Sequence, residues 1–179
     1  MKGKLGRFIF RKIGGRVIPI KISNLADEVA TASSKTNKYR KIIAKAGEEQ
    51  VAKLNLEIPK KGKFATILDV NVEKKFQKKG ISKNLFARAE TFLSRIGKKF
   101  LRSNEIQHVA QIKIRRGLGR YKAGGKMKSR TKLFVDQLGT FGEQTGKITR
   151  QEAIDLLKRG NPKGQQITAT TLLRKRPKK

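Results

Sequence analysis

The sequence predicts an α/β protein whose mixed, mostly antiparallel sheet is flanked by helices, with basic extensions at both ends. Three observations point there. Apolar residues alternate along 51–58 and again along 64–72, the period of half-buried strands, with Pro59-Lys-Lys-Gly62 as the turn between them. The period then lengthens to that of a helix across 81–96. Finally, 45 Lys+Arg against 13 Asp+Glu give a net charge of +32 that is spread along the chain and reaches both termini.

A chain of 179 residues suits one domain, or one compact domain with extensions, and 36% hydrophobic residues suffice for a modest core. The organisation expected is an N-terminal hairpin with a basic linker or helix over 1–49, a core over 50–135, and a C-terminal helix with a basic tail over 136–179. Cysteine is absent, which removes disulfides, thiolate metal sites and cysteine nucleophiles together, and no metal is expected. Nothing approaches the roughly 18–20 apolar residues of a membrane span. Arg11 and Lys12 interrupt the apolar opening before a signal-peptide core develops, so neither secretion by a signal peptide nor a membrane partner is expected.

In chain order, 8–22 reads as two strands around Gly14-Gly15, a dipeptide that supplies the positive φ angles of a tight hairpin. Pro19 lacks an amide proton and places the second of these strands at a sheet edge. Ala52, Leu54, Leu56 and Ile58 form the apolar face of the next strand, and Phe64, Leu68, Val70 and Val72 that of its partner. Ile81, Leu85, Ala89, Phe92 and Ile96 form a helical stripe widened by Phe86 and Leu93, with Gly97 closing the helix. A short strand at 99–102, a helix at 104–116, a basic loop at 124–130 and a strand at 131–135 follow. Thr149-Arg-Gln-Glu152 has the spacing of a capping box for a helix over 150–159, and 166–173 alternates weakly as a last strand.

One constellation carries chemistry. The run Leu68-Asp-Val-Asn-Val72, Phe76, Gln77-Lys-Lys-Gly80-Ile81-Ser82, then Leu85, reads as strand, glycine loop and helix N-terminus. Such a turn gathers unpaired backbone amides at the positive end of a helix dipole, which is a phosphate-binding geometry. Gly80 allows close approach of the backbone, and Lys78 and Lys79 add charge.

This stretch resembles the acyl-CoA-binding segment of the GNAT N-acetyltransferase superfamily, in which a strand ending near a valine leads into Gln/Arg-x-x-Gly-x-Gly/Ala and a helix with a leucine three residues on. Gln77, Gly80, Ser82 and Leu85 stand at the corresponding places, with serine for the last small residue. The likeness covers 64–102 and, in the order of elements, 50–135. It implies a GNAT-like fold whose central strands splay around a pantetheine arm, with acetyl-CoA as the cofactor. The pyrophosphate would lie on the loop formed by Gln77, Lys78, Lys79, Gly80, Ile81 and Ser82, and the backbone near Val70 and Val72 would pair with pantetheine. Attack of an amine on the thioester further needs a base and an acid. Asp69 and Glu73 are the candidate bases. The tyrosine that often serves as the acid, four residues before a glycine, is replaced by Arg115, with His108 at the companion asparagine position and Tyr121 beyond the helix.

The charge points elsewhere. A protein at +32 binds polyanions readily, and 106–132 contains no Asp or Glu. Lys122, Lys126, Lys128 and Arg130, with the terminal Arg174, Lys175, Arg176, Lys178 and Lys179, are the expected phosphate contacts to nucleic acid. The opening Ile13-Gly-Gly-Arg-Val-Ile-Pro-Ile is also similar to the starts of some phage-encoded GNAT-like proteins. That implies a setting in a virion or other nucleoprotein assembly, among other proteins and nucleic acid, where catalysis can be lost. The function expected is therefore that of a basic, nucleic-acid-associated protein on a GNAT-like scaffold, in a virion or the cytoplasm, with an active acetyl-CoA-dependent N-acetyltransferase as the alternative.

Overall fold

A computed structural model describes residues 7–22, 36–103, 106–107, 109–118, 120–123, 126–137, 146–160 and 164–173; for Arg7, 115–118, 120–123 and 126–128 it describes the backbone. The chain clusters into two compact units, 1–62 with 67–92, and 63–66 with 93–179.

The first unit is a succession of antiparallel strands. They are β1 (Arg7–Ile13), β2 (Arg16–Ile22), β3 (Asn37–Ala46), β4 (Glu49–Pro59) and most of β5 (Phe64–Val72), adjacent in that order, followed by a 3-10 turn at Lys74–Phe76 and α1 (Ile81–Arg95). Gly14 and Gly15 take φ of 55° and 81°, as the tight hairpin requires, and close the register at Ile13 opposite Arg16. Pro19 does not mark an edge: β2 lies between β1 and β3, and β1 is the outer strand. The reason is local, because pairing with β3 covers only Ile20 to Ile22 and Pro19 stands just outside it. Residues 37–46, expected as basic linker or helix, form β3, paired along β4 from Asn37–Pro59 to Ala46–Glu49 with a bulge at Ala44/Lys45. Its lysines and arginines obscure the short buried pair, Ile42 and Ala44, that anchors it.

On β4 the expected face is buried, and so is Val51. On β5 the faces are reversed in depth: Ala65 and Ile67 are buried, Leu68 is exposed, and Phe64, Val70 and Val72 are half-buried. Apolar residues stand in both alternating sets along 64–68, and periodicity alone cannot say which set lies deeper. Along α1, Ile81, Leu85, Phe86 and Ala89 are buried, Phe92 is half-buried, and Ile96 lies past the helix end and is exposed. Gly97, at φ 80°, closes the helix as expected.

The second unit contains β6 (Phe100–Ser103), α2 (Val109–Leu118), β7 (Arg120–Ala123), β8 (Lys126–Ser129), β9 (Thr131–Gln137), β10 (Gly146–Ile148), α3 (Arg150–Arg159) and β11 (Gln165–Leu172). Strands adjoin in the order β6-β11-β9-β10, and β7 and β8 form a separate hairpin. The core joins Ile106, Ile112, Leu133, Ala153, Ile167 and Ala169, with Ile148, Ile154, Leu156 and Leu157 packed against it. Of the helix expected at 104–116, α2 begins at Val109; the Ile106 amide instead donates to the Ile167 carbonyl at 2.7 Å, and 104, 105 and 108 lie outside the described residues. The basic loop expected at 124–130 includes a strand: β8 pairs with β7 from Arg120–Ser129 to Ala123–Lys126. β11 alternates weakly because it is central, with Gln166 through Thr171 all buried. Its hydroxyls are satisfied within the sheet: Thr168 donates to Asp136 Oδ2 at 2.6 Å, and Thr131 and Thr171 share a bond of 2.9 Å.

The capping box forms as its spacing predicts. The Glu152 amide donates to Thr149 Oγ1 at 3.2 Å, and Glu152 Oε2 accepts from the Thr149 amide at 2.6 Å. That amide holds the Glu152 carboxyl below its ordinary value. A depressed folded-state value means stability present above the ordinary carboxylate range and lost as pH falls through the folded value. Thr149→Ala is expected to cost about 1 kcal/mol in urea unfolding at neutral pH, and Glu152→Gln to flatten the acid side of the stability profile. A Thr149→Ala midpoint equal to that of the parent refutes the cap's contribution.

Candidate functional site

The candidate site lies in the first unit, where β5 runs into α1. The Glu73 amide donates to the Val51 carbonyl at 3.0 Å as the last rung of the β4–β5 ladder. The 3-10 turn then buries Phe76 and exposes its lysines, so the chain leaves the sheet held by one aromatic. Gln77 turns back, its side-chain Nε2 donating to the Val72 carbonyl at 3.0 Å. It therefore braces the loop against the strand end.

Lys78 has φ 58°, a strained left-handed conformation for a lysine, and Gly80 has φ 74°. The Gly80 carbonyl accepts from the Asn84 amide at 3.4 Å and from Asn84 Nδ2 at 2.9 Å, which fixes it at the entry of α1. The first amides of the helix precede any intrahelical acceptor, and the first turn has no acidic residue. Lys78, Lys79 and Lys83 are exposed around this opening, and Ser82 is half-buried within it.

Sequence reasoning named Lys78 and Lys79 at this loop and missed both Lys83 and a fourth cation, Arg11. Arg11, on the inner face of β1, reaches the loop from 68 positions away. Its Nε donates to the Lys79 carbonyl at 2.5 Å and its Nη1 to the Phe10 carbonyl at 2.7 Å. Its Nη2 lies 3.7 Å from where a Cβ on Gly80 would stand. Among the described residues no ion pair engages Arg11, Lys78, Lys79 or Lys83. The only signal in the sequence was an arginine on the apolar side of an alternating strand, between Ile9 and Ile13.

The candidate bases separate. Glu73 lines a cleft of about 160 Å³ together with Gln50, Val51, Ala52, Lys53 and Asn71. It sits 3.8 Å from Lys75 Nζ, which also holds Glu49 at 2.7 Å. The bond to Glu49 is the main cause that raises the Lys75 ammonium above its ordinary value. Asp69 is outside that lining; Asn55 Nδ2 donates to it, and Lys53 Nζ stands 3.9 Å away. Val70 and Val72 are half-buried on the β5 segment leading to the loop. Arg115 lies in α2 and Tyr121 in β7, while His108 is outside the described residues.

Four of the nine expected phosphate contacts lie on or beside the β7–β8 pair. Lys126 and Lys128 lie on β8, and Lys122 pairs with Met127 from β7. Arg130 is half-buried and donates from Nη1 to the Leu172 carbonyl at 2.7 Å, which ties the start of β9 to the end of β11. Arg174, Lys175, Arg176, Lys178 and Lys179 lie outside the described residues.

No protein-family model matches the chain, and no curated protein sequence matches it either. Solved structures do. The ribosomal-protein-S18-alanine N-acetyltransferase of Escherichia coli is 13% identical over 79% of this chain and 72% of that one, with a TM-score of 0.50. An acetyltransferase of Bacillus subtilis solved in complex with CoA is 15% identical over 93% of this chain and 100% of that one, also at 0.50. A tandem GNAT protein from the clavulanic acid biosynthesis pathway is 14% identical over 59% of this chain at a TM-score of 0.44, and this chain spans 34% of its length. The fold is GNAT-like, an α/β arrangement with a mixed, mostly antiparallel open sheet.

Proposed function

We propose that this chain binds a CoA thioester at residues 77–82 and passes its acyl group to an amine. The observation that carries the proposal is the loop itself: a left-handed glycine opens onto helix amides, ringed by Arg11, Lys78, Lys79 and Lys83 with no carboxylate paired to them among the described residues. The residues fit a pyrophosphate, since Gly80 leaves open the space a side chain would fill and the cations supply countercharge. Bound there, a thioester supplies the electrophilic carbonyl that an amine attacks, the C–N bond forming as the C–S bond breaks. Glu73 is the base that takes the amine proton. It lines the cleft, with Lys75 Nζ 3.8 Å from its carboxylate. At about 160 Å³ the cleft falls below the roughly 300 Å³ of common ligand pockets, so it suits an amine headgroup rather than a whole cofactor. Arg11 clamps the loop and offers Nη2 to a phosphate.

Titration calorimetry with CoA and with dephospho-CoA tests the reading. Arg11→Gln is expected to weaken CoA binding about tenfold, the scale of one lost charge-assisted bond. If dephospho-CoA loses as much affinity on this change, Arg11 meets the pyrophosphate; if it loses none, Arg11 meets the 3′-phosphate. A parent protein that binds neither ligand overturns the proposal.

The charge favours a second reading, in which the scaffold resides in a nucleoprotein particle such as a virion and holds nucleic acid through phosphates. Net charge of +32 is the observation behind it. Affinity for duplex DNA would fall with salt at a log–log slope of roughly −0.9 per phosphate neutralised. Neutralising Arg174, Lys175, Arg176, Lys178 and Lys179 would make that slope shallower, and an affinity indifferent to salt removes this reading.

A further inference from the structure

The β1–β2 hairpin turns two different faces outward and inward. Inward it buries Ile9, Ile20 and Ile22. Outward, the register sets Phe8 opposite Lys21, Phe10 opposite Pro19 and Lys12 opposite Val17. All six are exposed, Phe8 at 48%, Phe10 at 63% and Val17 at 66%. Ile9, Ile20 and Ile22 are the buried side chains of the inner face, the two phenylalanines lie on the other face, and an aromatic pair left in water calls for a partner. Between Arg7 and Ile22 the chain has five cations and no Asp or Glu.

A partner must cancel positive charge and offer flat apolar faces at once. Phosphates joined to unstacked bases do both, and a duplex hides its base faces. The spacing agrees: residues two apart on a strand stand roughly 6.8 Å from each other, about twice the ~3.4 Å step between bases along a strand. One base fits between the two rings, with Lys12 and Lys21 at the ends of the row to meet the flanking phosphates. We infer that this hairpin face binds single-stranded nucleic acid, Phe8 and Phe10 stacking on bases. The inference sharpens the polyanion reading and is independent of the CoA reading.

Fluorescence anisotropy on the full chain tests it, with labelled oligo-dT and oligo-U of about 12 nucleotides, within the usual single-strand site sizes, and a duplex of equal length. The double change Phe8→Ala/Phe10→Ala is expected to weaken both single-stranded probes about tenfold or more while shifting duplex affinity less than about twofold. Lys12→Gln/Lys21→Gln is expected to make the single-strand salt slope shallower by about 1.4, from roughly 0.7 per phosphate. Because the chain has no Trp, Phe10→Trp gives a lone indole whose emission the single-stranded probes should quench and the duplex should not. Unchanged single-strand affinity in the double variant, or equal losses on all three probes, overturns the inference. Salt-dependent duplex binding by the parent would still leave the polyanion reading standing. Should the double variant instead abolish self-association in sedimentation with nucleic-acid affinity intact, the face is a protein interface and the inference is wrong.

Discussion

Leu85→Ala is expected to lower the unfolding free energy by about 2–5 kcal/mol, the range for a buried leucine whose site cannot fully collapse. Leu85 has 0% exposure and stands in the middle of the apolar stripe of α1, between Ile81 and Ala89. Ile96→Ala is the matched control. Ile96 belongs to the same period in sequence but lies past the helix end, 45% exposed, so its loss should stay within about 0.5 kcal/mol. Urea midpoints with unchanged m-values decide between them. Equal effects at both positions would mean that the buried face of the helix is wrongly placed.

That pair of residues shows where periodicity stops informing. The 3.6-residue repeat of 81–96 was legible because one face carries nearly all the large apolar groups, but the repeat continues one step beyond the residue at which Gly97 ends the helix. Strands were legible where one side is polar, as along β4, only faintly where both sides are covered, as along β11, and not at all where lysines alternate with a short buried pair, as in β3. The β7–β8 hairpin escaped for another reason. Gly124-Gly125 is the same dipeptide that marked the first hairpin at Gly14-Gly15, but its basic neighbours lack flanking alternation. Within the candidate site, the loop at 77–82 was readable because its spacing is local. Arg11 was not, since only the fold brings β1 to a carbonyl 68 residues away.

Gly80→Glu is expected to abolish detectable CoA binding while leaving the protein folded. Two effects combine. At φ 74° any Cβ is strained, by roughly 1–2 kcal/mol, which loosens the loop. Beyond that, a Cβ there would stand 3.7 Å from Arg11 Nη2, so the new carboxylate falls within reach of the guanidinium that faces the opening. It would pair with Arg11, occupy the helix N-terminus as an anion, and repel phosphate from the remaining lysines. The internal ion pair compensates part of the backbone strain, so the urea midpoint should move less than for Leu85→Ala. Gly80→Asn separates the two effects, because asparagine tolerates the left-handed conformation and brings no charge. It should retain measurable affinity, reduced about tenfold or less. Calorimetric titration of parent, Gly80→Glu and Gly80→Asn with CoA reads the series. If the glutamate variant binds as tightly as the parent, the ligand does not lie on this loop.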